Sequence, residues 1–201
     1  MQAGMPVQLV SKVERSTIQA AVVTVSDRCA AGATRDTAGP AVADLLSKEL
    51  SARIAWPRVV PDEADQIAAV LKYLCDRRVD LVITAGGTGI SPRDVTPEAT
   101  RTIIDRELPG LAEAMRADSA LKPPNALLSR AIAGVKRETP IVNLPGSLKA
   151  ATENLRVILP AVPHAVKMLR GETAHQEQDK DRLISINPSS ASEAHSVSTE
   201  R

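Results

Sequence analysis

A run of glycines and two aspartates are the residues of this chain best placed to do chemistry. Gly86, Gly87 and Gly89 stand in a Gly-Gly-Thr-Gly stretch, with Thr88 between them, shortly ahead of Arg93-Asp94. Glycines let a backbone turn sharply and leave N–H groups bare, and such a concavity suits a phosphate. The bland alternative is a strand-to-helix connection in which the glycines only turn the chain, and short glycine motifs have a real false-positive rate. No lysine follows the glycines, so this is not a Walker A loop. Pro92 stands where G-x-G-x-x-G needs its third glycine, which argues against a Rossmann dinucleotide site. Asp94 lies two residues before Thr96-Pro97-Glu98, which reads as N-cap, N1 proline and early acid, so capping does not explain Asp94. Asp62 precedes another helical pattern and has a capping role open to it as well as a metal-binding one. Magnesium takes one or two protein carboxylates and completes its shell with water and substrate phosphates. Two aspartates on neighbouring strand-end loops suit that chemistry. Arg93 could pair with phosphate, with Asp94, or simply with solvent.

The elements that must position these residues follow from periodicity. Leu81, Val82 and Ile83 form a continuous apolar run, as expected of a strand buried on both faces of a parallel sheet. Ala20–Val25 predicts a similar strand ending at Ser26-Asp27-Arg28. Ile54–Val60 predicts another, with Pro57 pointing to an edge or a bulge. Ile141–Leu144 predicts a short strand leading into Pro145-Gly146-Ser147. Helices are predicted from about Pro40 to Leu50, from Asp62 through Leu74, near Pro97–Asp105, near Pro109–Arg116, from Leu148 to Leu159, and finally up to Gly171. Leu127–Val135 reads equally as helix or strand. Strands alternating with helices predict an α/β protein, a three-layer α/β/α sandwich around a mostly parallel sheet. Three strand ends then open on one edge, where ligands bind in such sheets: Ser26-Asp27-Arg28, Gly86–Asp94 and Asn143–Ser147. Ser147 reads as an ordinary N-cap or as part of an anion site at a helix start. Lys149 could reach a phosphate or lie solvated on the surface.

Composition narrows the function classes. A chain of 201 residues is expected to hold one domain with tails, residues 18–171 between a polar lead-in (1–17) and a Ser-rich polar tail (172–201) expected to be disordered. Aromatic content is only 1%, with no Phe, so a stacking platform for single-stranded nucleic acid is not expected. The formal net charge of +1 gives no electrostatic footprint for nucleic acid or a membrane surface. No apolar run approaches a membrane span. Cys29 and Cys75 fit no motif spacing and read as reduced thiols in a cytoplasmic protein. His164, His175 and His195 show no metal-ligand spacing.

Six strings stand out together: Val25-Ser26-Asp27-Arg28, Pro61-Asp62-Glu63, Gly86-Gly87-Thr88-Gly89, Arg93-Asp94-Val95-Thr96-Pro97-Glu98-Ala99-Thr100, Glu107-Leu108-Pro109-Gly110 and Asn143-Leu144-Pro145-Gly146-Ser147. Taken together, they resemble the MogA/MoaB family of molybdenum-cofactor biosynthesis proteins and the related G domain of gephyrin. The resemblance runs from about Ala20 to Leu169. It implies molybdopterin adenylyltransferase activity, in which Mg-ATP and molybdopterin give adenylyl-molybdopterin and diphosphate. By motif position, Asp62 and Asp94 correspond to the family's catalytic, metal-associated aspartates. Gly86, Gly87, Thr88 and Gly89 with Pro145 and Gly146 correspond to its nucleotide site, and Ser26, Asp27 and Ser147 to the pterin-phosphate side. It further implies Mg²⁺, ATP as co-substrate, a homotrimer, and a downstream molybdenum-insertion partner. A non-catalytic molybdopterin-binding or scaffold protein of the same fold is the alternative.

Overall fold

The computed structural model describes residues 17–120 and 124–172, so the expected lead-in before Thr17 and the polar tail beyond Glu172 lie outside the described residues. Six strands form one sheet in the order β2-β1-β3-β6-β5-β4. They are β1 (Gln19–Val25), β2 (Arg53–Val60), β3 (Leu81–Ala85), β4 (Arg106–Glu107), β5 (Ala133–Lys136) and β6 (Thr139–Leu144). The neighbours β2, β1, β3 and β6 run parallel, while β5 and β4 return antiparallel at one side. The sheet is therefore mostly parallel, as its apolar runs require.

Those runs have no polar side because helices cover both faces. Ala20 and Val22 of β1, Leu81 and Ile83 of β3, and Val142 and Leu144 of β6 pack into one core. That core also takes Val42, Leu45 and Leu46 of α2 (Ala38–Leu50), Met115 of α5 (Pro109–Ala120), Leu155 and Ile158 of α6 (Leu148–Ile158) and Val166 of α7 (Val162–Leu169). The alternate residues, Ala21 and Val23, Val82 and Ile141, build a second core on the other face. Its helical partners are Ile67, Leu71 and Leu74 of α3 (Ala64–Asp76) and Ala99 of α4 (Thr96–Arg101). Period-two alternation thus sends successive strand residues into two separate cores.

Several boundaries differ from the expected ones, each for a local reason. Proline tolerance places β2 at the sheet edge, and the β1–β2 register slips between Ala20 and Ala21. Ser26 ends β1 by capping a short helix, α1 (Asp27–Ala30), which sequence reading took for loop. The helix expected to start at Asp62 starts at Ala64, with Glu63 at the cap position and no side-chain cap bond. The helix near residue 97 stops at Arg101 rather than reaching Asp105. Asp105 instead joins the antiparallel β4–β5 pairing, its N–H donating to Val135 O and its carboxylate accepting from Lys136 Nζ at 2.8 Å. The ambiguous 127–135 segment splits into a 3₁₀ turn (Pro124–Leu128) and strand β5, which period alone could not decide.

Candidate functional site

The carboxyl ends of β2, β1, β3 and β6 lie side by side because the four strands are parallel neighbours. Asp62 follows β2, Ser26 and Asp27 follow β1, the Gly86–Asp94 loop follows β3, and Pro145-Gly146-Ser147 follows β6. Chain crossing at this rim requires glycine at two positions. Gly86 has φ +117°, and a Cβ there would lie 2.1 Å from the carbonyl oxygen of Val25. Gly87 has φ +62°, and its Cβ would lie 2.3 Å from Thr96 Oγ1 and 2.9 Å from Asp62 Oδ1. The second contact shows that the carboxylate of Asp62 rests against the glycine loop. Thr96, expected as a helix cap, instead lies fully buried and donates its hydroxyl to Gly86 O at 2.9 Å. Its N–H donates to Gly87 O at 3.1 Å. Val95 takes the cap position of α4.

The acids form one network around that loop. Asp27 N–H donates to Asp62 Oδ2 at 2.8 Å, and Asp62 N–H returns a bond to Asp27 Oδ1 at 3.0 Å. This pairing, not helix capping, is what Asp62 does structurally. Arg93 grips Asp27 bidentately, Nε to Oδ2 and Nη2 to Oδ1, both at 3.0 Å, and also reaches Glu63 Oε1 at 2.9 Å. Those hydrogen bonds hold the Asp27 carboxyl below its ordinary range. Asp62 moves the other way. Burial pushes its carboxyl up, and the neighbouring charges of Asp27 and Asp94 add to that. Asp94 is presented by the same loop. Its Oδ2 accepts from Ser91 N–H at 2.8 Å and lies 2.9 Å from where a Gly89 Cβ would be. Each of the two acids thus spends one oxygen on a backbone N–H. The other, Oδ1 in both, has no hydrogen-bond partner among the described residues.

A cavity of about 780 Å³ opens beside this rim, a volume suited to a ligand of moderate size. Of the residues expected at the site, Gly87, Thr88, Gly89, Asp94, Pro145, Gly146 and Ser147 line it. Gly86, Asp62, Asp27 and Ser26 lie outside its lining. Gly86 is beneath the loop, Asp27 is held by Arg93 and Asp62, and Ser26 Oγ accepts from Cys29 N–H at 3.3 Å as a cap. Ser147 also caps its helix, accepting from Ala150 N–H at 3.3 Å, and it does so while facing the cavity, with Lys149 beside it. The two sequence readings of Ser147 are therefore compatible. The far wall comes from α5 and α6 through Met115, Arg116, Ser119 and Asn154, which sequence reading did not single out. It also missed Arg130, which binds the loop from behind. Nothing in the local pattern around Arg130 marks it, because its partners lie more than thirty residues away in sequence.

The donor set fits a hard cation. Among the described residues, no group of three or more His, Cys, Asp or Glu side chains could hold a metal ion by itself. The unpartnered oxygens of Asp62 and Asp94, of which only Asp94 lines the cavity, could instead serve a magnesium ion whose shell is completed by water and phosphate.

Comparison with known proteins agrees with the architecture. A family described as "probable molybdopterin binding domain" matches residues 21–164. A molybdopterin adenylyltransferase of Helicobacter pylori is 40% identical over 157 residues, covering 77% of this chain and 89% of that protein. Gephyrin of Dictyostelium discoideum is 39% identical over 160 residues, covering 75% of this chain, but the match spans only 22% of gephyrin. The solved structure of the molybdopterin biosynthesis enzyme MoaB from Thermus thermophilus superposes with a TM-score of 0.73 at 46% identity, covering 77% of this chain and 98% of that one.

Proposed function

This chain belongs to the molybdopterin-binding-domain family of molybdenum cofactor biosynthesis, and on that premise we propose that it is a molybdopterin adenylyltransferase. The reaction joins an oxygen of molybdopterin's terminal phosphate to the α-phosphorus of ATP. The bond from that phosphorus to the β-phosphate oxygen breaks, and diphosphate leaves. No protein nucleophile is required, so the residues have to position two anionic substrates and balance their charge. One observation carries the reading. Asp62 and Asp94 lean on the same glycine loop, each with one oxygen tied to backbone and one left over.

In this proposal Gly86, Gly87, Thr88 and Gly89, with Pro145 and Gly146, receive ATP. Ser147, at the positive end of α6, and Lys149 face the phosphate of the pterin. Ser26 and Asp27 shape that side from the neighbouring strand end. Magnesium held by Asp62 and Asp94 would offset charge on the phosphates, and the raised carboxyl of Asp62 supports this, since burial and two acid neighbours leave its ionised form undercompensated. We extend the proposal to a homotrimer, a cytoplasmic location and a downstream molybdenum-insertion partner. Among the described residues, no helix is long and apolar enough to cross a membrane.

The test is purified protein with molybdopterin and Mg-ATP, following adenylyl-molybdopterin and diphosphate together. Asp94→Asn should lower turnover by at least about a hundredfold, the scale of losing a key electrostatic group, while the melting temperature holds. Turnover retained in that variant would remove Asp94 from the chemistry. The 46% identity to a MoaB structure keeps a second reading, a pterin-binding protein without transferase activity. It predicts pterin binding with no ATP consumed.

A further inference from the structure

The loop that presents Asp94 is held from one side by a single residue, Arg130. Its backbone N–H donates to Thr88 O at 2.9 Å. Its Nε donates to Gly89 O at 2.6 Å, its Nη2 to Asp94 O, and its Nη1 to the carboxylate of Glu98 on α4. One side chain thus joins both ends of the loop to the helix that follows it. Within the loop itself, the only backbone–backbone bonds among the described residues are Asp94 N–H to Ser91 O and Thr96 N–H to Gly87 O. Arg130 adds to the bonds made by Ser91, Asp94 and Arg93, and its planar fork can serve several acceptors at fixed angles where a lysine could not.

The orientation of the loop peptides follows from this grip. A trans peptide is planar, with its C=O and N–H on opposite sides. When Arg130 draws the carbonyls of Thr88 and Gly89 towards itself, the N–H groups of Gly89 and Ile90 are turned to the opposite side. Neither N–H donates to any acceptor among the described residues. Gly89 and Ile90 both line the cavity. The same grip on the carbonyl of Asp94 fixes the backbone from which its carboxylate extends.

We propose that Arg130 is a positioning residue for the nucleotide half of the reaction, acting through the Gly87–Asp94 loop without touching substrate. This rests on the adenylyltransferase reading given above. Each of its three guanidinium nitrogens already donates to a protein acceptor, and the residue is not among those lining the cavity, so it orients the loop and leaves phosphate contact to the loop's own N–H groups.

The experiment compares the full-length protein with Arg130→Gln, Arg130→Lys and Glu98→Gln. Three readouts are taken: calorimetric binding of a non-hydrolysable ATP analogue, steady-state constants for both substrates, and tryptic cleavage after Arg93 located by mass spectrometry. Arg130→Gln is expected to weaken analogue binding and raise the KM for ATP at least tenfold, with the KM for molybdopterin moving less than threefold. Cleavage after Arg93 should quicken selectively, with cuts elsewhere unchanged. Arg130→Lys should recover part of each effect, and Glu98→Gln should give a milder version in a protein that keeps the loop contacts. Equal losses for both substrates, or cleavage quickened at all sites alike, would assign Arg130 to general stability and overturn the proposal. Unchanged analogue binding in the folded variants would overturn it as well. If the wild-type protein binds the analogue but makes no product, the adenylyltransferase reading fails, while binding and cleavage still decide the role of Arg130.

Discussion

Replacing Gly87 with alanine tests how the loop is built and what it holds in place. Two costs can be read from the structure. The residue sits at φ +62°, a left-handed conformation that costs a non-glycine residue roughly 1–2 kcal/mol. The new methyl would also lie 2.3 Å from Thr96 Oγ1, which must move because Thr96 is fully buried and β-branched. Moving it breaks its bond to Gly86 O and leaves a buried acceptor unpaired, at about 1–3 kcal/mol. The sum is roughly 2–5 kcal/mol, or ~4–20 °C in melting temperature for a chain of this size. Gly32 supplies the control, since it has φ +70° and nothing within 4 Å of its would-be Cβ. Gly32→Ala should therefore show the conformational cost alone. Thr96→Ala supplies the second control, because adding Gly87→Ala to it should again cost only about 1–2 kcal/mol. Denaturant unfolding of the four variants and the parent completes the cycle. The Gly87→Ala variant should also lose transferase activity, since Asp62 Oδ1 lies 2.9 Å from the same methyl position. Equal costs at Gly32 and Gly87, or strict additivity with Thr96→Ala, would refute the steric argument.

Asp62→Asn should lose activity yet melt no lower than the parent at neutral pH. The carboxyl of Asp62 is raised in the fold, so its contribution is present below the ordinary carboxylate value and lost as pH rises through the folded one. The melting difference in favour of the variant should therefore grow with pH across that window, and a difference independent of pH would count against the assignment. Arg93→Ala acts with the opposite sign. Asp27 is lowered, so the stability it gains from Arg93 is present above the ordinary value and fades as pH falls through the folded one. The deficit of that variant should shrink in acid, as thermal melts at graded pH would record. Cys29 is half-buried, whereas the thiol of Cys75 is buried and pushed up to about 11, mainly by desolvation. Iodoacetamide at pH 8 should label Cys29 well before Cys75 in peptide maps, and equal rates would contradict the burial.

How much of this was legible in the sequence depends on how far apart the partners lie. The strands β1, β3 and β6 were readable because a run buried on both faces carries its signal in consecutive residues. Strand β4 has only Arg106 and Glu107, both exposed, and exists because β5 pairs with it. No local pattern encodes that. Gly86 through Gly89 and Asp94 could be found from spacing, since glycine loops after buried strands are local features. The interlock of Asp27 with Asp62 spans 35 residues and that of Arg93 with Asp27 spans 66. Propensity suggested capping for Asp62 and Thr96, and tertiary partners overrode it in both cases. Thr96 was read only as a cap, and Asp62 as a cap or a metal-associated carboxylate; neither makes a side-chain cap bond.

Those two errors share a cause that bears on function. A helix N-terminus offers Asp62 and Thr96 an easy partner, and α3 and α4 both start without a side-chain cap bond. The capping energy forgone is about 1 kcal/mol at each helix. What the fold gains is placement. Thr96 fixes the carbonyl of Gly86 beneath the loop, and Asp62 is drawn by Asp27 N–H to rest against Gly87. With Asp94 brought to the same loop by its bond to Ser91, the result is a partly buried Asp62 whose carboxyl is raised chiefly by desolvation and further by its acidic neighbours Asp27 and Asp94. Arg93 pairs directly with Asp27 and Glu63, and its charge offsets only part of the rise at Asp62. Under the proposed function, an incoming cation shared by both acids would offset that cost. The Asp62→Asn variant puts that argument at risk directly. If its gain in stability at neutral pH is absent, the pair is not strained, and the case for charge-sharing between Asp62 and Asp94 loses its physical basis.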